Sequence, residues 1–269
     1  MKSSSPKSAT ADSPSNNPQS TEKSSMESIA PENIGKLDMV IAFDTTGSMA
    51  AYIEDVRQQV ADLIPRLFKN NEDLRLGIVA FGDYCDMRNA QDFGDAYQCI
   101  QPTNDANALI KFVHESKNTF GGDSDEFYEL VIKRIVEKTP WRDDSTRSIL
   151  LIADAEPHPI GYSCENYIVN NQISWVREAG KAAAKGIKFD TVTIRNQPWL
   201  KQLSEITDGL SVPFSSSGKT SILVEASISA RGSMKSRQHF DDMCEDFHDD
   251  AEASEILCSY KKARDSYDR

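Results

Sequence analysis

The chain has 269 residues, 39% of them hydrophobic, with 30 basic and 42 acidic side chains and a formal net charge of −12. That length allows one large domain with extensions or two small domains, and enough buried surface for a substantial core. An acidic chain with no basic stripe argues against nucleic acid, whose phosphates need clustered Lys and Arg, and against an anionic membrane surface. No apolar run approaches the ~18 residues of a membrane span. Residues 1–31 lack the apolar core of a secretory signal, so an intracellular, cytoplasmic protein is expected. The cysteines Cys85, Cys99, Cys164, Cys244 and Cys258 are odd in number and widely spaced, with no Cys-x-x-Cys pair, which is neither a zinc nor a disulfide framework. Cys85 and Cys99 can face each other across a hairpin, but a reducing compartment favours free thiols.

Residues 1–32 are rich in Ser, Pro, Asn, Thr and Lys and nearly devoid of large apolar side chains. Such a segment cannot offset its ordering entropy, so a disordered tail is expected; Ser5-Pro6 and Ser13-Pro14 in it are candidate phosphorylation sites. The run from Leu37 to Asp44 reads as a strand buried on both faces. Met49, Tyr52, Ile53, Val56, Val60, Leu63, Ile64 and Leu67 then follow at helical spacing, with Pro65 expected to kink or end that helix. Leu74–Phe81 reads as a second strand, Tyr97–Ile100 as a short edge strand and 104–116 as a short helix. Thr119-Phe120-Gly121-Gly122-Asp123-Ser124-Asp125-Glu126 is a turn whose glycines permit close backbone approach, and Asp123 is placed to cap the helix that follows. Ser148–Asp154 is another apolar strand ending in an aspartate, followed by the rigid Ala155-Glu156-Pro157-His158-Pro159. A helix over about 166–185, a strand over 187–194, a short helix over 198–206 and an edge strand over 209–214 complete a strand–helix alternation. The expected architecture is α/β: a doubly wound, mostly parallel sheet flanked by helices over residues 36–217. Beyond it, 218–269 reads as a helical, acidic extension. From Gln238 onward its apolar residues recur at helical spacing opposite a dense acidic face. That helix is read as packing back on the domain in preference to binding a partner.

The stretch that carries the chemistry is Asp44-Thr45-Thr46-Gly47-Ser48-Met49. It places a carboxylate and two hydroxyls on the turn between a buried strand and a helix, at the sheet edge where α/β folds bind ligands. These are hard oxygen donors, suited to Mg²⁺, Mn²⁺ or Ca²⁺. The motif resembles the Asp-x-Ser/Thr-x-Ser signature of von Willebrand factor A-type (vWA) domains, where it forms the first part of a metal-ion-dependent adhesion site. The resemblance covers roughly residues 37–215. With Gly-Gly-Asp…Glu and Ile-Ala-Asp-Ala-x-Pro-His downstream, it is most similar to the vWA modules found with alpha-type protein kinases. It implies a metal site drawn from three loops: Asp44, Thr46 and Ser48 from the first, Asp123 from the second where the family usually has a threonine, and Asp154 from the third. Thr119 is an alternative second-loop ligand.

It further implies a Rossmann-like vWA fold that holds Mg²⁺ (or Mn²⁺ or Ca²⁺) and binds a protein ligand without catalysis. A third carboxylate at Asp123 holds the cation more firmly and weakens its pull on a partner's carboxylate. Clustered carboxylates repel one another and so favour a cation between them. His158 reads as shaping its loop beside the site, Glu126 as supporting the loop or lying exposed, Asp83 as a turn residue in preference to one that backs the metal ligands, and Trp141, Trp175 and Trp199 as packing residues. A phosphatase of the haloacid dehalogenase type also starts from an aspartate closing a first buried strand. It needs a second aspartate two residues on, where this chain has Thr46. The remaining alternative is a scaffold that holds no metal. The partner and the oligomeric state stay open at this stage.

Overall fold

A computed structural model describes residues 35–164, 171–214 and 219–267. The N-terminal tail with its two Ser-Pro pairs lies outside the described residues, as does the start of the helix read from 166. The chain runs β1 (Lys36–Asp44), α1 (Ile53–Asn70), β2 (Asp73–Phe81), β3 (Tyr97–Thr103), α2 (Ala106–Glu115), β4 (Asp125–Glu126) and α3 (Tyr128–Lys138). It continues through β5 (Thr146–Ala153), β6 (Glu156–Pro157), α4 (Trp175–Ala184), β7 (Ile187–Thr193), α5 (Pro198–Ile206) and β8 (Ser211–Pro213). Three helices follow: α6 (Lys219–Ser229), α7 (Met234–Asp246) and α8 (Ala251–Tyr267).

Six strands form one sheet in the order β3-β2-β1-β5-β7-β8, parallel throughout except for the antiparallel edge strand β3. This is the expected doubly wound α/β architecture. The chain leaves β1 toward β2 on one side and later enters β5 on the other, so the strand order reverses between β1 and β5. The carboxyl ends of those neighbouring strands flank the crevice where such sheets place ligands.

Each central strand divides its side chains between two cores, which is why β1, β2 and β5 read as unbroken apolar runs. Met39, Ile41 and Phe43 of β1 face α1, α2 and the C-terminal helices, while Val40 and Ala42 face α3, α4 and α5. The C-terminal helices belong to the first of these cores: Leu223, Val224, Phe240, Met243, Leu257 and Tyr260 pack into it. Buried Asp190 on β7 pins them further. It accepts from Ser227 of α6 and takes a two-pronged ion pair from Arg231, whose Nη2 donates to Asp190 Oδ1 at 2.8 Å.

Three local expectations change. Helix α1 continues through Pro65 to Asn70, because Pro65 stands on the exposed face while Leu63, Ile64 and Leu67 are buried around it. The missing N–H costs one ladder bond there, which the buried apolar stripe outweighs. The helical pattern after Gln238 breaks at Phe247–Asp250, giving α7 and α8 instead of one helix. Cys85 and Cys164 form a disulfide, with Cα atoms 6.0 Å apart, where free thiols were expected; Cys99, Cys244 and Cys258 are the free cysteines. The partners are 79 residues apart in sequence, so only the fold reveals the pairing.

Candidate metal centre

Asp44 is the last residue of β1 and is fully buried. Its Oδ1 accepts from both the backbone N–H and the hydroxyl of Thr46, each at 2.7 Å, and its Oδ2 accepts from the Tyr128 hydroxyl of α3. Asp154 follows β5 directly, and its Oδ1 accepts from the Ser48 hydroxyl at 3.0 Å. Thr46 Oγ1 and Ser48 Oγ lie 3.3 Å apart. A continuous chain of short contacts thus links Asp44, Thr46, Ser48 and Asp154 across two strand ends. Gly47 is exposed and Ser48 half-buried, so this chain opens to solvent on one side.

The second loop is anchored to the first by its backbone. Thr119 N–H donates to Thr45 C=O at 3.0 Å, and the two threonine hydroxyls are 3.0 Å apart. Asp86 accepts from Phe120 N–H and Gly121 N–H. Gly121 has φ 70°, and a Cβ there would come within 2.9 Å of Glu126 Oε1. Only glycine therefore lets the loop close over Glu126. Strand β4 then pairs in parallel with β6, just past Asp154, and carries Glu126 inward.

Glu126 is 3% exposed. Burial, then the charges of Asp44 and Asp83, push its carboxyl up to about 10. Burial likewise pushes Asp44 up to about 7, against hydrogen bonds from Tyr128 and Thr46, with Asp154 adding to the rise. Both shifts favour the protonated, neutral carboxyl, because nothing in the surroundings offsets the cost of a buried negative charge. Asp123 sits elsewhere: it is exposed, its Oδ1 accepts from Asp125 N–H and its Oδ2 from the Tyr162 hydroxyl at 2.9 Å. It does not cap α3, whose N-terminal flanking residue is Phe127. Thr119 is buried and pairs with Thr45.

Sequence reasoning missed two residues, Glu126 as an inward-facing carboxylate and Tyr128 as the donor to Asp44. A faint signal was available, since Glu126 directly precedes the apolar positions of α3. The flanking residues support the loops. His158 Nε2 and Asp83 Oδ1 are 2.7 Å apart and fully buried, and the His158 N–H donates to Glu126 C=O. Trp199 is buried against Tyr128 and donates to Ala155 C=O, as a packing residue should.

The donor set fits a hard cation. Thr46 and Ser48 each give their hydroxyl proton to a carboxylate, which leaves oxygen lone pairs for an ion. Adjacent ligands on Mg²⁺ with bonds of ~2.1 Å stand about 3 Å apart, and on Ca²⁺ slightly more, so the 3.3 Å hydroxyl spacing suits either. Two buried carboxylate oxygens, Asp154 Oδ2 and Glu126 Oε2, have no hydrogen-bond partner; Arg195 approaches the first only to 3.7 Å. Among the described residues no three His, Cys, Asp or Glu side chains form a cage by themselves, so the hydroxyls are essential to any site here.

The sequence model of the von Willebrand factor type A domain matches residues 38–223. The chain therefore belongs to the von Willebrand factor type A domain family. It is 27% identical over 128 residues to the alpha-protein kinase vwkA of Dictyostelium discoideum, a stretch that covers 47% of this chain and 19% of the kinase. Among solved structures it is similar to BatB from Bacteroides thetaiotaomicron, with a TM-score of 0.51 and 15% identity over 72% of this chain and 97% of that one. That likeness speaks to the fold alone. No helix among the described residues is long and apolar enough to cross a membrane.

Proposed function

We propose that this domain is a non-catalytic binding module that holds a hard divalent cation, Mg²⁺, Mn²⁺ or Ca²⁺, and uses it to engage a protein partner. The observation that carries the reading is the chain of contacts from Asp44 through Thr46 and Ser48 to Asp154, with buried oxygens on Asp154 and Glu126 that no hydrogen bond satisfies. Thr46, Ser48, Asp154 and Asp44 would hold the ion. Glu126 supplies the second-loop carboxylate that the resemblance assigned to Asp123. The cation supplies charge neutralisation and an open coordination position. The protein supplies rigidity, because Tyr128, Thr46 and the buried strand end fix Asp44 before any ion arrives.

The hydrolase alternative is disfavoured by the role of Thr46. It donates to Asp44 and occupies the place where an acid–base carboxylate would stand. The test is thermal unfolding of the full chain with and without Mg²⁺. A ligand at a hundredfold its Kd stabilises by about 2.7 kcal/mol. The wild type should gain such a shift, and Asp44→Ala should lose it along with partners captured in Mg²⁺ and released by chelator. Stabilisation that persists in Asp44→Ala, or phosphate-ester turnover abolished by it, contradicts the reading.

A further inference from the structure

We infer that the Cys85–Cys164 disulfide is a redox switch on the metal centre: its reduction by a dithiol releases the second loop, residues 119–126, and weakens the hold on the cation. The inference rests on the proposed function for the cation and adds the regulation of that site.

The first observation is what the cross-link encloses. Cys85 stands in the turn that follows β2, and Cys164 in the segment that follows β6. Residues 119–126 are held from both sides. On the Cys85 side, Asp86 Oδ1 accepts from Phe120 N–H at 2.9 Å and Asp86 Oδ2 from Gly121 N–H at 3.0 Å. On the Cys164 side, the Tyr162 hydroxyl donates to Asp123 Oδ2 at 2.9 Å, His158 N–H donates to Glu126 C=O at 3.3 Å, and β6 pairs with β4. The loop that carries Glu126 inward therefore sits in a clamp, and the disulfide is the covalent bond that closes it.

The second observation is direct contact. A Cβ on Gly122 would fall 2.4 Å from Cys85 Sγ, so the sulfur packs on the loop backbone at a position that admits no side chain. Two reduced sulfurs are no longer bonded and must part to van der Waals separation. Cys164 is buried and Cys85 has Gly122 beside it, so that movement is taken up against the second loop.

The third observation is what remains once the bond is broken. His158 Nε2 and Asp83 Oδ1, 2.7 Å apart, and the stack of Tyr162 on His158, with ring centroids 3.6 Å apart, join the same two segments without a covalent bond. They keep the segments adjacent in the reduced protein. Strands β1 and β5 are each paired on both sides, away from the cross-link. Reduction thus loosens the rim and leaves the sheet folded, which is local opening of a low-stability element.

Cys85 is half-buried and Cys164 is 6% exposed, so an incoming thiolate attacks Cys85 Sγ. The S–S bond breaks, a mixed disulfide forms at Cys85, and Cys164 leaves as a thiolate that takes a proton. The second thiol of the dithiol attacks the reductant's own sulfur in that mixed disulfide and frees Cys85 as a thiol. Two electrons and two protons pass to the protein, and the dithiol ends as a disulfide. A loop free to shift carries Glu126 away from Asp44, Thr46, Ser48 and Asp154, so the oxidised form binds the cation more tightly. By linkage the cation makes the disulfide harder to reduce by the same factor.

The test uses the full chain with Cys99→Ser, Cys244→Ser and Cys258→Ser, which leaves Cys85 and Cys164 as its cysteines. Calorimetric titration with Mg²⁺ compares the oxidised protein with protein reduced by dithiothreitol and desalted without air. Amide hydrogen exchange of both forms, without Mg²⁺, follows the loop. The reduced form should show a Kd roughly tenfold higher, and adding Cys164→Ser should reproduce that value with or without dithiol. Exchange should quicken at residues 119–126 while β1 and β5 keep their protection. Saturating Mg²⁺ should lower the reduction midpoint by ~30 mV, the equivalent of tenfold for two electrons. Equal Kd values in the two forms overturn the proposal. Loss of protection throughout β1 and β5 on reduction also overturns it, because the bond is then a structural staple. If Mg²⁺ binds neither form, the proposed function fails and loop exchange alone decides the clamp: faster exchange on reduction sustains redox control of the loop, and unchanged exchange overturns it.

Discussion

Glu126 is the residue on which the behaviour of the site turns. Its carboxyl is buried beside Asp44 and Asp83, and it holds its proton up to about 10. A group whose folded pKa lies above its unfolded value stabilises the fold fully below the unfolded value, and that contribution is lost as pH rises through the folded one. Glu126 (4.5 to about 10), Asp44 (3.8 to about 7) and Glu129 (4.5 to about 7) all have this sign. Metal-free protein should therefore lose thermal stability steadily from about pH 4 toward pH 10. Mg²⁺ should flatten the part due to Asp44 and Glu126. The Glu129 part should remain, because that carboxyl is bonded to Tyr84 and Asn171 and not to the site. Glu126→Gln should raise the melting temperature of metal-free protein at pH 8, by about 1–3 kcal/mol equivalent, the cost of one poorly satisfied buried polar group. The same change should weaken Mg²⁺ binding. Scans at several pH values with chelator and with Mg²⁺ check both; an unchanged profile in Glu126→Gln removes this carboxyl from the site. The first-loop residues and Asp154 were legible because each closes or follows an apolar run. Glu126 was not, because nothing in the Gly-Gly-Asp-Ser-Asp-Glu spacing says which carboxylate turns inward. That is decided by Gly121 at positive φ and by the pairing of β4 with β6.

Among the elements, the strands and helices of the sheet were the most readable. Buried strands β1 and β5 are apolar on both faces, and α5 starts at Pro198, where a proline at the first helical turn costs nothing. The failures were of two kinds. Pro65 was given its local meaning, but tertiary burial of one stripe of α1 overrides it. The break between α7 and α8 carries no Gly or Pro, so periodicity alone ran the two together. The reading of the C-terminal segment as packed back on the domain agrees with its place in the core, and the Asp190–Arg231 pair is its main polar tie. Arg231→Met should destabilise the protein by about 3–5 kcal/mol, because it strands Asp190 as a buried unpaired charge. Adding Asp190→Asn should recover much of that loss. Urea unfolding of the single and double variants measures it, and a single variant as stable as wild type would show the tie to be unimportant.

For the molecule as a whole, a net charge of −12 does not spread evenly into function. Part of it gathers at the carboxyl edge of the sheet, where β1, β5 and the β4–β6 pair bring acidic side chains together. The parallel sheet explains that placement: every strand but β3 points the same way, so the residues after β1, β2 and β5 share one rim. The disulfide between Cys85 and Cys164 ties two loops of this rim, an arrangement that composition and spacing did not reveal. The most direct measurement is titration of Mn²⁺ into the full chain, followed by electron paramagnetic resonance, for wild type, Asp44→Ala, Glu126→Gln and Asp123→Asn. The account predicts one saturable site that is abolished in Asp44→Ala, weakened roughly tenfold or more in Glu126→Gln and little changed in Asp123→Asn. Binding that survives Asp44→Ala, or that depends on Asp123 and not on Glu126, would contradict it.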